Sequence, residues 1–326
     1  MSQPTSSRSD LGEALSGWPP PVLDPSGPYS SSLTTLTWLL LALMLGIFVL
    51  VCVALGIAMF GSDRLKAKLG GEKIVRWFGL IIPTCILGVL LLSGLWLTSR
   101  LEGVTGDEPR IRVVGNNYWW RVAYLDGAGQ ELFWDANELH IPVGQPVVLE
   151  LTAEDVIHSF WVPQLHGKMD MIPGRVNTLK LQADRPGVFG GQCAEYCGGA
   201  HALMGLVVVA HDPAEWQRLI AARSVPRVQT ARTPEAARGA QLFMDVGCAA
   251  CHRIAGTQAQ GLAGPDLTFV GARRSIGAGI LPNNRGTLTG WIGDSQSIKP
   301  NNRMPAYRSL PAQDLTALAA YMETLR

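Results

Sequence analysis

The sequence predicts a multidomain membrane protein made of a two-helix transmembrane hairpin, an antiparallel β-sandwich and a small all-α domain. Two long apolar runs without a charged residue, over 36–60 and 77–99, indicate the hairpin. Short β-type segments broken by Gly, Pro and Asp begin at Arg110 and indicate the sandwich. A Cys-x-x-Cys-His sequence at 248–252, followed by a helical tail, indicates the third domain.

Length and composition fit several structural units better than one. The chain has 326 residues, of which 47% are hydrophobic and 16% are charged, so two or three units are expected. A net charge of +1 without a basic cluster argues against a nucleic-acid partner. The predicted units are a polar flexible N-terminal extension over 1–32, the hairpin over 33–101, the sandwich over 102–215, a linker over 216–233 and the all-α domain over 234–326.

The N-terminal extension is polar and rich in Ser and Pro. Such a segment cannot bury enough apolar surface to order itself, so we expect it to be mobile. It also lacks the basic stretch and short apolar core that mark a cleaved secretory signal.

Each apolar run is longer than the roughly 20 residues that a helix needs to cross the hydrocarbon layer. Five basic residues lie between them, namely Arg64, Lys66, Lys68, Lys73 and Arg76. A positive bias on a short loop predicts that this loop is cytoplasmic and that both termini lie on the outer face. Cys52 and Cys85 fall within the apolar runs and are expected to be buried small hydrophobic residues.

The sandwich segments alternate apolar and polar residues where one face is expected to be solvated, as in VVLELT and LKLQ. They are IRVVG, YWWRVAYL, ELFW, ELHIPV, PVVLELT, NTLKLQA and GLVVVA. Rigid strands with loops gathered at one end make a good host for a metal site, because the strands fix the ligand loops.

A candidate metal site lies in GGQCAEYCGGAHALM, over 190–204, which contains four ligand-type side chains, Cys193, Cys197, His201 and Met204. Sulfur and imidazole ligands suit copper, and one Cys suffices for a single copper, so the second thiolate leaves room for a second ion. The further imidazole is expected from His158, at the end of a strand-like run. A zinc site, or a buried thiol pair or disulfide beside an incidental histidine, is the alternative.

The third domain contains Cys248, Cys251 and His252 in a pattern that attaches haem c through two thioethers, with the histidine on the iron. Met304 lies in a Met-Pro turn before the final helix and is the expected distal ligand. The alternatives are a redox dithiol or a zinc knuckle for the cysteines, and core packing for Met304.

The three segments DVIHSFWVP, KMDMIPGRVN and GGQCAEYCGGAHALMG resemble subunit II of the haem–copper cytochrome c oxidases. The C-terminal order of CxxCH, GPDL and a Met-Pro turn is similar to a small class I cytochrome c. The resemblance implies a cupredoxin-like sandwich with a binuclear CuA centre. In that centre Cys193 and Cys197 would bridge two coppers, His158 and His201 would each bind one, and Met204 and the Glu195 carbonyl would be axial ligands.

The same resemblance implies roles for four further positions. The Glu195 side chain and Asp170 match positions near a magnesium ion shared with subunit I. Tyr118 and Trp119 match aromatic positions through which electrons arrive from cytochrome c, although the family has Trp where this chain has Tyr118. His140, His166 and His211 match no ligand position and are expected at the surface or in loops.

The implied function is that of subunit II of a proton-translocating caa-type cytochrome c oxidase, with cytochrome c as electron donor and oxidase subunit I and other subunits as partners. This subunit would not reduce dioxygen on its own. The implied location is a bacterial plasma membrane, with the copper and haem domains on the outer face. The copper subunit of a nitric oxide reductase and a free membrane-anchored electron carrier or copper-binding protein are the alternatives.

Overall fold

The computed structural model describes residues 20–101, 106, 108–225 and 231–326, apart from the side chains of residues 100 and 101. The chain divides into two compact units. One comprises residues 31–105, and the other comprises the chain up to Ser30 and from Gly106 to Arg326. Each is described below by itself.

The first unit contains the predicted hairpin. Its helices are α1 (Pro28–Phe60), α2 (Asp63–Leu69), α3 (Glu72–Arg76) and α4 (Ile82–Leu101), with a π-helical turn at Trp77–Ile81. Two spans are long and apolar enough to cross a membrane, Pro28–Phe60 with a mean hydropathy of 3.0 and Glu72–Ser99 with 2.3. The two helices predicted from the apolar runs are therefore present.

The prediction for Cys52 and Cys85 was wrong, because both side chains are exposed on these helices. No residue of the most apolar window in either span is buried among the described residues of this chain. Because no other described part of the chain covers these helices, the cysteine side chains are as exposed as their apolar neighbours.

The second unit contains a sandwich of two five-stranded sheets. The strands are β1 (Arg110–Asn116), β2 (Trp119–Leu125), β3 (Glu131–Ala136), β4 (Glu138–Pro142), β5 (Val147–Ala153), β6 (His158–Trp161), β7 (Met169–Met171), β8 (Asn177–Leu181), β9 (Gly187–Cys193) and β10 (Gly205–His211). One sheet has the order β3-β2-β1-β5-β8 and the other β4-β10-β9-β6-β7. Most pairings are antiparallel, as expected, whereas β1–β5 and β4–β10 are parallel.

The sandwich core lies between the two sheets and consists of aromatic and β-branched or leucine side chains from both. Trp120 and Phe160 pack edge to face with ring centroids 6.1 Å apart, and both are fully buried. Tyr124 stacks on Phe133 at 4.3 Å. These rings bury a large apolar area, which stabilises the strand ends that hold the loops of the site.

The C-terminal domain is mainly helical, as predicted. After α5 (Pro213–Arg223), which packs on the sandwich, its helices are α6 (Pro234–Asp245), α7 (Arg285–Ile298) and α8 (Ala312–Thr324), with a short two-stranded ladder of β11 (Ser275–Ile276) and β12 (Leu281–Pro282). Helices α6 and α8 pack closely because Gly239 lies against the Ala317 carbonyl, where any larger residue would overlap it. Its core includes Phe243, Leu318 and Tyr321.

Two unit boundaries differ from the predicted ones. Helix α1 begins at Pro28, and Ser26, expected in the mobile extension, is buried with its N–H donating to the Gln164 carbonyl at 2.7 Å. The predicted extension over 1–32 thus ends earlier, because Ser26, Gly27 and Ser30 are buried and the first and last of them hydrogen-bond to the Gln164 carbonyl of the sandwich; residues 1–19 lie outside the described residues. Helix α5 extends to Arg223, into the predicted linker, whose residues 226–230 also lie outside the described range.

The C-terminal domain is docked on the sandwich, and the surface between them is called the seam here. Phe269 of the C-terminal domain joins the sandwich core and packs edge to face on Phe133, with centroids 6.0 Å apart. The Gly205 N–H donates to the Ala278 carbonyl at 3.0 Å across the seam. The two domains are therefore held together both by an aromatic side chain packed into the sandwich core and by a backbone hydrogen bond.

Candidate metal and haem sites

The candidate metal ligands come from two neighbouring strands and the loop between β9 and β10. His158 begins β6 and Cys193 ends β9, and these strands pair with Phe160 opposite Cys193. The loop is tied at both ends, because the Cys193 N–H donates to the Met204 carbonyl at 2.9 Å and the Ala194 N–H donates to the Ser159 carbonyl at 2.9 Å. The backbone thus fixes the loop before any ion binds.

The structure brings all six predicted ligand residues together. Cys193 Sγ lies 3.8 Å from Cys197 Sγ, 3.8 Å from His158 Nδ1 and 3.2 Å from the Glu195 carbonyl oxygen. Cys197 Sγ lies 3.6 Å from His201 Nδ1 and 3.8 Å from Met204 Sδ. Each sulfur therefore has its own histidine and its own weak third ligand.

Asp155 orients His158, and the sequence analysis did not single it out. Its Oδ1 lies 2.9 Å from His158 Nε2, and a carboxylate accepts, so Nε2 is the protonated nitrogen and Nδ1 points its lone pair towards Cys193. Burial alone would lower the pKa of His158, but its hydrogen bonds with Cys193 and Asp155 outweigh burial and raise it. The spacing of Asp three residues before the ligand His was the available signal.

The two thiols are not equivalent. The hydrogen bond with Cys197 lowers the pKa of Cys193 to about 3, whereas the hydrogen bond with Cys193 and burial raise the pKa of Cys197. Metal binding requires both thiolates, so loading this site releases at least one proton.

The donor set fits a soft metal ion. Among the described residues, the one group of His, Cys, Asp or Glu close enough to share an ion is His158, Cys193 and Cys197, all of them buried. Two sulfurs, two imidazole nitrogens, a thioether and a carbonyl offer six donors. A single tetrahedral zinc would use four of these donors, whereas a pair of soft ions such as copper would use all six.

The predicted haem ligands all lie in the C-terminal domain. Cys248 and Met304 both pack against that core, and Cys251 is exposed. His252 Nδ1 lies 2.8 Å from the Pro265 carbonyl oxygen, which can only accept, so Nε2 is left free to bind iron. Burial lowers the pKa of His252, which keeps the imidazole neutral and available as a ligand. These residues fit a covalently bound haem c.

The two aromatic residues predicted for electron input are nearly buried, with 8% of Tyr118 and 9% of Trp119 exposed. The Tyr118 hydroxyl lies so close to Gly198 that a Cβ there would be only 2.6 Å away. The Tyr118 carbonyl accepts a hydrogen bond from Lys299 of the C-terminal domain. Tyr118 therefore lies between the copper loop and the docked domain.

Of the two predicted magnesium ligands, Glu195 lies in the metal loop and Asp170 lies on strand β7. Glu195 is half-buried and accepts from the Tyr196 N–H at 3.0 Å. Asp170 lies opposite Ser159 in the β6–β7 pairing and 3.4 Å from Lys168 Nζ. Neither belongs to a potential metal-binding group within the described part of the chain.

The expectation that His140 and His211 lie at the surface or in loops was wrong, because both are buried in strands, β4 and β10; His166 does lie in a loop, between β6 and β7, but it is buried too. His140 Nδ1 lies 2.8 Å from His211 Nε2. All five residues of strand β4 are buried, since the sandwich covers one face and other elements cover the second. A strand that is covered on both faces does not show the alternation of apolar and polar residues from which burial is predicted.

A buried ionic cluster lies in the seam beside these histidines. Asp135 is fully buried and accepts from Arg223 Nη1 at 2.6 Å and from Arg273 Nε at 2.7 Å. Glu138 accepts from the Arg274 N–H at 2.8 Å, and its other oxygen lies 3.4 Å from His140 Nε2. The cluster joins the sandwich, α5 and the C-terminal domain.

Replacing Glu138 with glutamine is expected to stabilise the protein at pH 8 but much less at pH 5. Burial raises the pKa of Glu138 from 4.5 to about 7, so the folded state holds this proton more tightly than the unfolded state does. Its contribution to stability is therefore full below pH 4.5 and is lost as the pH rises to 7. The loss is roughly 3 kcal/mol at about 1.4 kcal/mol per pKa unit.

Unfolding of the wild type and of Glu138→Gln by urea at pH 5 and pH 8 measures this difference. The other titratable groups are the same in both proteins, so the comparison isolates Glu138 and its contact with His140. An equal difference in unfolding free energy at the two pH values would contradict the prediction.

A membrane hairpin, a cupredoxin-like sandwich with a soft-metal site and a helical domain with a haem c attachment sequence together define a class of membrane-anchored electron-transfer subunits. The cytochrome c oxidase subunit II periplasmic domain family matches residues 111–211, and the cytochrome c family matches residues 236–326. The chain belongs to the cytochrome c oxidase subunit 2 family, with a fused cytochrome c domain. It is the subunit through which electrons enter an oxidoreductase complex, and it binds copper and haem c.

The relatives cover most of the chain. Cytochrome c oxidase subunit 2 of Alkalihalophilus pseudofirmus is 35% identical over 323 residues, which cover 94% of this chain and 90% of that protein. Its counterpart from Bacillus sp. PS3 is 29% identical and covers 81% of this chain and 78% of its own. The crystal structure of the periplasmic domain of subunit II of cytochrome oxidase from Bradyrhizobium japonicum is 29% identical, with a TM-score of 0.33, and covers 35% of this chain and 92% of that chain.

Proposed function

We propose that the copper site is a binuclear CuA centre with Cys193 and Cys197 as bridging ligands. Each cysteine sulfur lies within 3.8 Å of one histidine nitrogen, and the third neighbours are the Glu195 carbonyl at 3.2 Å and Met204 Sδ at 3.8 Å. The symmetric assignment of one histidine and one weak ligand to each sulfur is the observation that carries the proposal. Burial of both thiols keeps water from competing for the ions.

The haem c is proposed to be held by Cys248 and Cys251 through thioethers, with His252 and Met304 as axial ligands. A bridged copper pair and a His/Met-ligated haem c each take up and release one electron at a time. The chain itself supplies the fixed imidazole orientation at Pro265, the buried thiols and the docked arrangement of the two domains. Electrons would therefore pass from cytochrome c to the fused haem, next to the copper pair and then to subunit I.

The remaining assignments follow from position. Both domains would lie on the outer face of a bacterial plasma membrane, since the basic residues concentrate on the loop that joins the two hairpin helices. Glu195 and Asp170 lie near the metal loop, and a magnesium ion there would need ligands from subunit I. Tyr118 and Trp119 would receive electrons from the docked haem domain, because both are nearly buried within this chain.

Metal analysis, electron paramagnetic resonance and a visible spectrum of the purified chain test this proposal. We expect two coppers per chain, a seven-line mixed-valence copper signal and a c-type haem band. Zinc in place of copper, or a single copper per fully loaded chain, would overturn the CuA assignment.

Replacing Met304 with leucine is expected to leave the haem attached but to lower its reduction potential. His/Met ligation raises the potential of haem c, and axial ligands set potentials over about 0.8 V, so a fall of roughly 100 mV or more is expected. A spectroscopic redox titration measures the change. Met244→Leu is the matched control, because Met244 is 41% exposed on α6; an unchanged potential in Met304→Leu would exclude Met304 as the ligand.

A further inference from the structure

Lys299 is a buried lysine in the seam. Only 2% of the residue is exposed, and its Nζ donates to the Tyr118 carbonyl at 2.7 Å and to the Gly277 carbonyl at 3.0 Å. Lysine is almost never fully buried unless it is paired with an acid. Within the described residues, no carboxylate lies within 4.0 Å of this ammonium group. Burial lowers the pKa of Lys299 to about 7, and its Nζ donates to one carbonyl on each side of the seam.

Lys299 opens a short segment that runs along the copper loop, residues 299–304, called the distal segment here. The Asn301 side chain packs on Gly199, where a Cβ would lie 2.6 Å from Asn301 Nδ2. Arg303 Nη2 lies 3.4 Å from Asp155 Oδ2, and Asp155 orients His158. The segment ends at Met304, so one stretch of chain links the predicted haem ligand to the surroundings of the copper ligands.

The Lys299 contact reaches the copper loop through Tyr118. The Tyr118 carbonyl accepts from Lys299, and its ring packs on Gly198, the neighbour of Cys197. Asn116 and Trp119 on either side of this turn are paired in the β1–β2 ladder, so the position of Tyr118 is fixed by the sandwich. Lys299 therefore ties the distal segment to a rigid point beside the copper site.

We propose that Lys299 is a positioning residue for electron transfer between the two redox sites of this chain. By bridging Tyr118 and Gly277, it holds the distal segment, and with it Met304, against the copper loop. The inference rests on the proposed function. The transfer moves one electron from ferrous haem to the oxidised copper pair, and no bond forms or breaks. Because electron transfer slows steeply as the distance between donor and acceptor grows, loss of this clamp is expected to lower the transfer rate measurably.

The test uses the complete oxidase carrying Lys299→Met, which keeps the length of the side chain but removes the donor and the charge. We expect the rate of electron transfer from photoreduced haem c to copper to fall at least tenfold. We also expect faster amide hydrogen exchange in peptides that contain Tyr118 and in those that contain 275–279. The methionine-to-haem absorption band and the copper signal should persist.

Arg285→Met is the matched control, because Arg285 pairs with Glu235 and Glu323 within the haem domain itself. It should leave both the transfer rate and the exchange of the Tyr118 peptide unchanged. If Lys299→Met does not assemble, Asn301→Gly provides the second variant. Asn301 has a φ of 66°, which glycine adopts freely, so the backbone is kept while the contact with Gly199 is lost. A fall in rate of at least threefold is expected for this variant.

An unchanged transfer rate in the assembled variants would overturn the inference. Faster exchange confined to 275–279, together with loss of the methionine-to-haem band, would show that Lys299 only stabilises the haem domain and would also overturn it. The wild type tests the proposed function separately. If that function is wrong, the wild type itself will lack the paired copper signal or the haem band.

Discussion

Replacing Cys193 with serine is expected to abolish binding of the copper pair and to lower the oxidase rate more than about 100-fold. Mutating residues that only support metal ligands already lowers metal affinity or activity about 10–100-fold, and Cys193 is a proposed ligand itself. Cys193 contacts Cys197, His158 and the Glu195 carbonyl, so its sulfur is central to the donor set. A serine hydroxyl is a hard donor that stays protonated at neutral pH and cannot replace a bridging thiolate.

The measurement is the copper content of the purified chain with its paramagnetic resonance signal, alongside oxygen consumption by the complex. Cys52→Ser is the matched control, because Cys52 is an exposed thiol on α1, outside the site. It should retain both coppers and the full rate. Retention of two coppers in Cys193→Ser would rule out the bridging role.

The residues that the structure brings together at the candidate metal site could be identified from the sequence, because most of them are local. Four of them lie within the loop after β9, and His158 begins the strand that pairs with β9. The types of these residues and their spacing in the sequence are therefore enough to predict most of the site. The predicted haem attachment residues are equally local, since Cys248, Cys251 and His252 lie within five consecutive positions.

The seam could not be predicted in the same way. Asp135 lies 88 residues from Arg223 and 138 residues from Arg273, and no spacing pattern connects them. Lys299 and Tyr118 are 181 residues apart, and the acceptor is a backbone carbonyl that no side-chain pattern reports. Long-range polar contacts depend on how two folded domains meet, which local periodicity does not encode.

Docking also changes how single residues are interpreted. His140 and His211 have polar side chains, which are expected at the protein surface. Both are nevertheless buried beside the seam. Burial lowers the pKa of both histidines, so the fold keeps them neutral. Polar residues at a domain interface resemble surface residues in sequence because each domain alone would expose them.

The second large effect is expected from Asp135→Ala, which should release the haem domain from the sandwich. Asp135 is fully buried and is the acceptor for both Arg223 and Arg273, whose side chains are 10% and 4% exposed. Removing one partner of a buried ion pair leaves uncompensated charge and costs about 3–5 kcal/mol. That cost falls on the seam, because Arg273 belongs to the C-terminal domain and Asp135 to the sandwich.

Calorimetry and hydrogen exchange on the full chain measure the release. We expect the C-terminal domain to unfold in a separate transition at lower temperature, with faster exchange around Phe269, which packs beside this cluster. Glu131→Gln is the matched control, since the Arg112–Glu131 pair is about one third exposed on each side and such pairs contribute about 0.2–1 kcal/mol. A single transition at the wild-type temperature in Asp135→Ala would mean that apolar packing at Phe269, rather than the buried carboxylate, holds the haem domain on the copper domain.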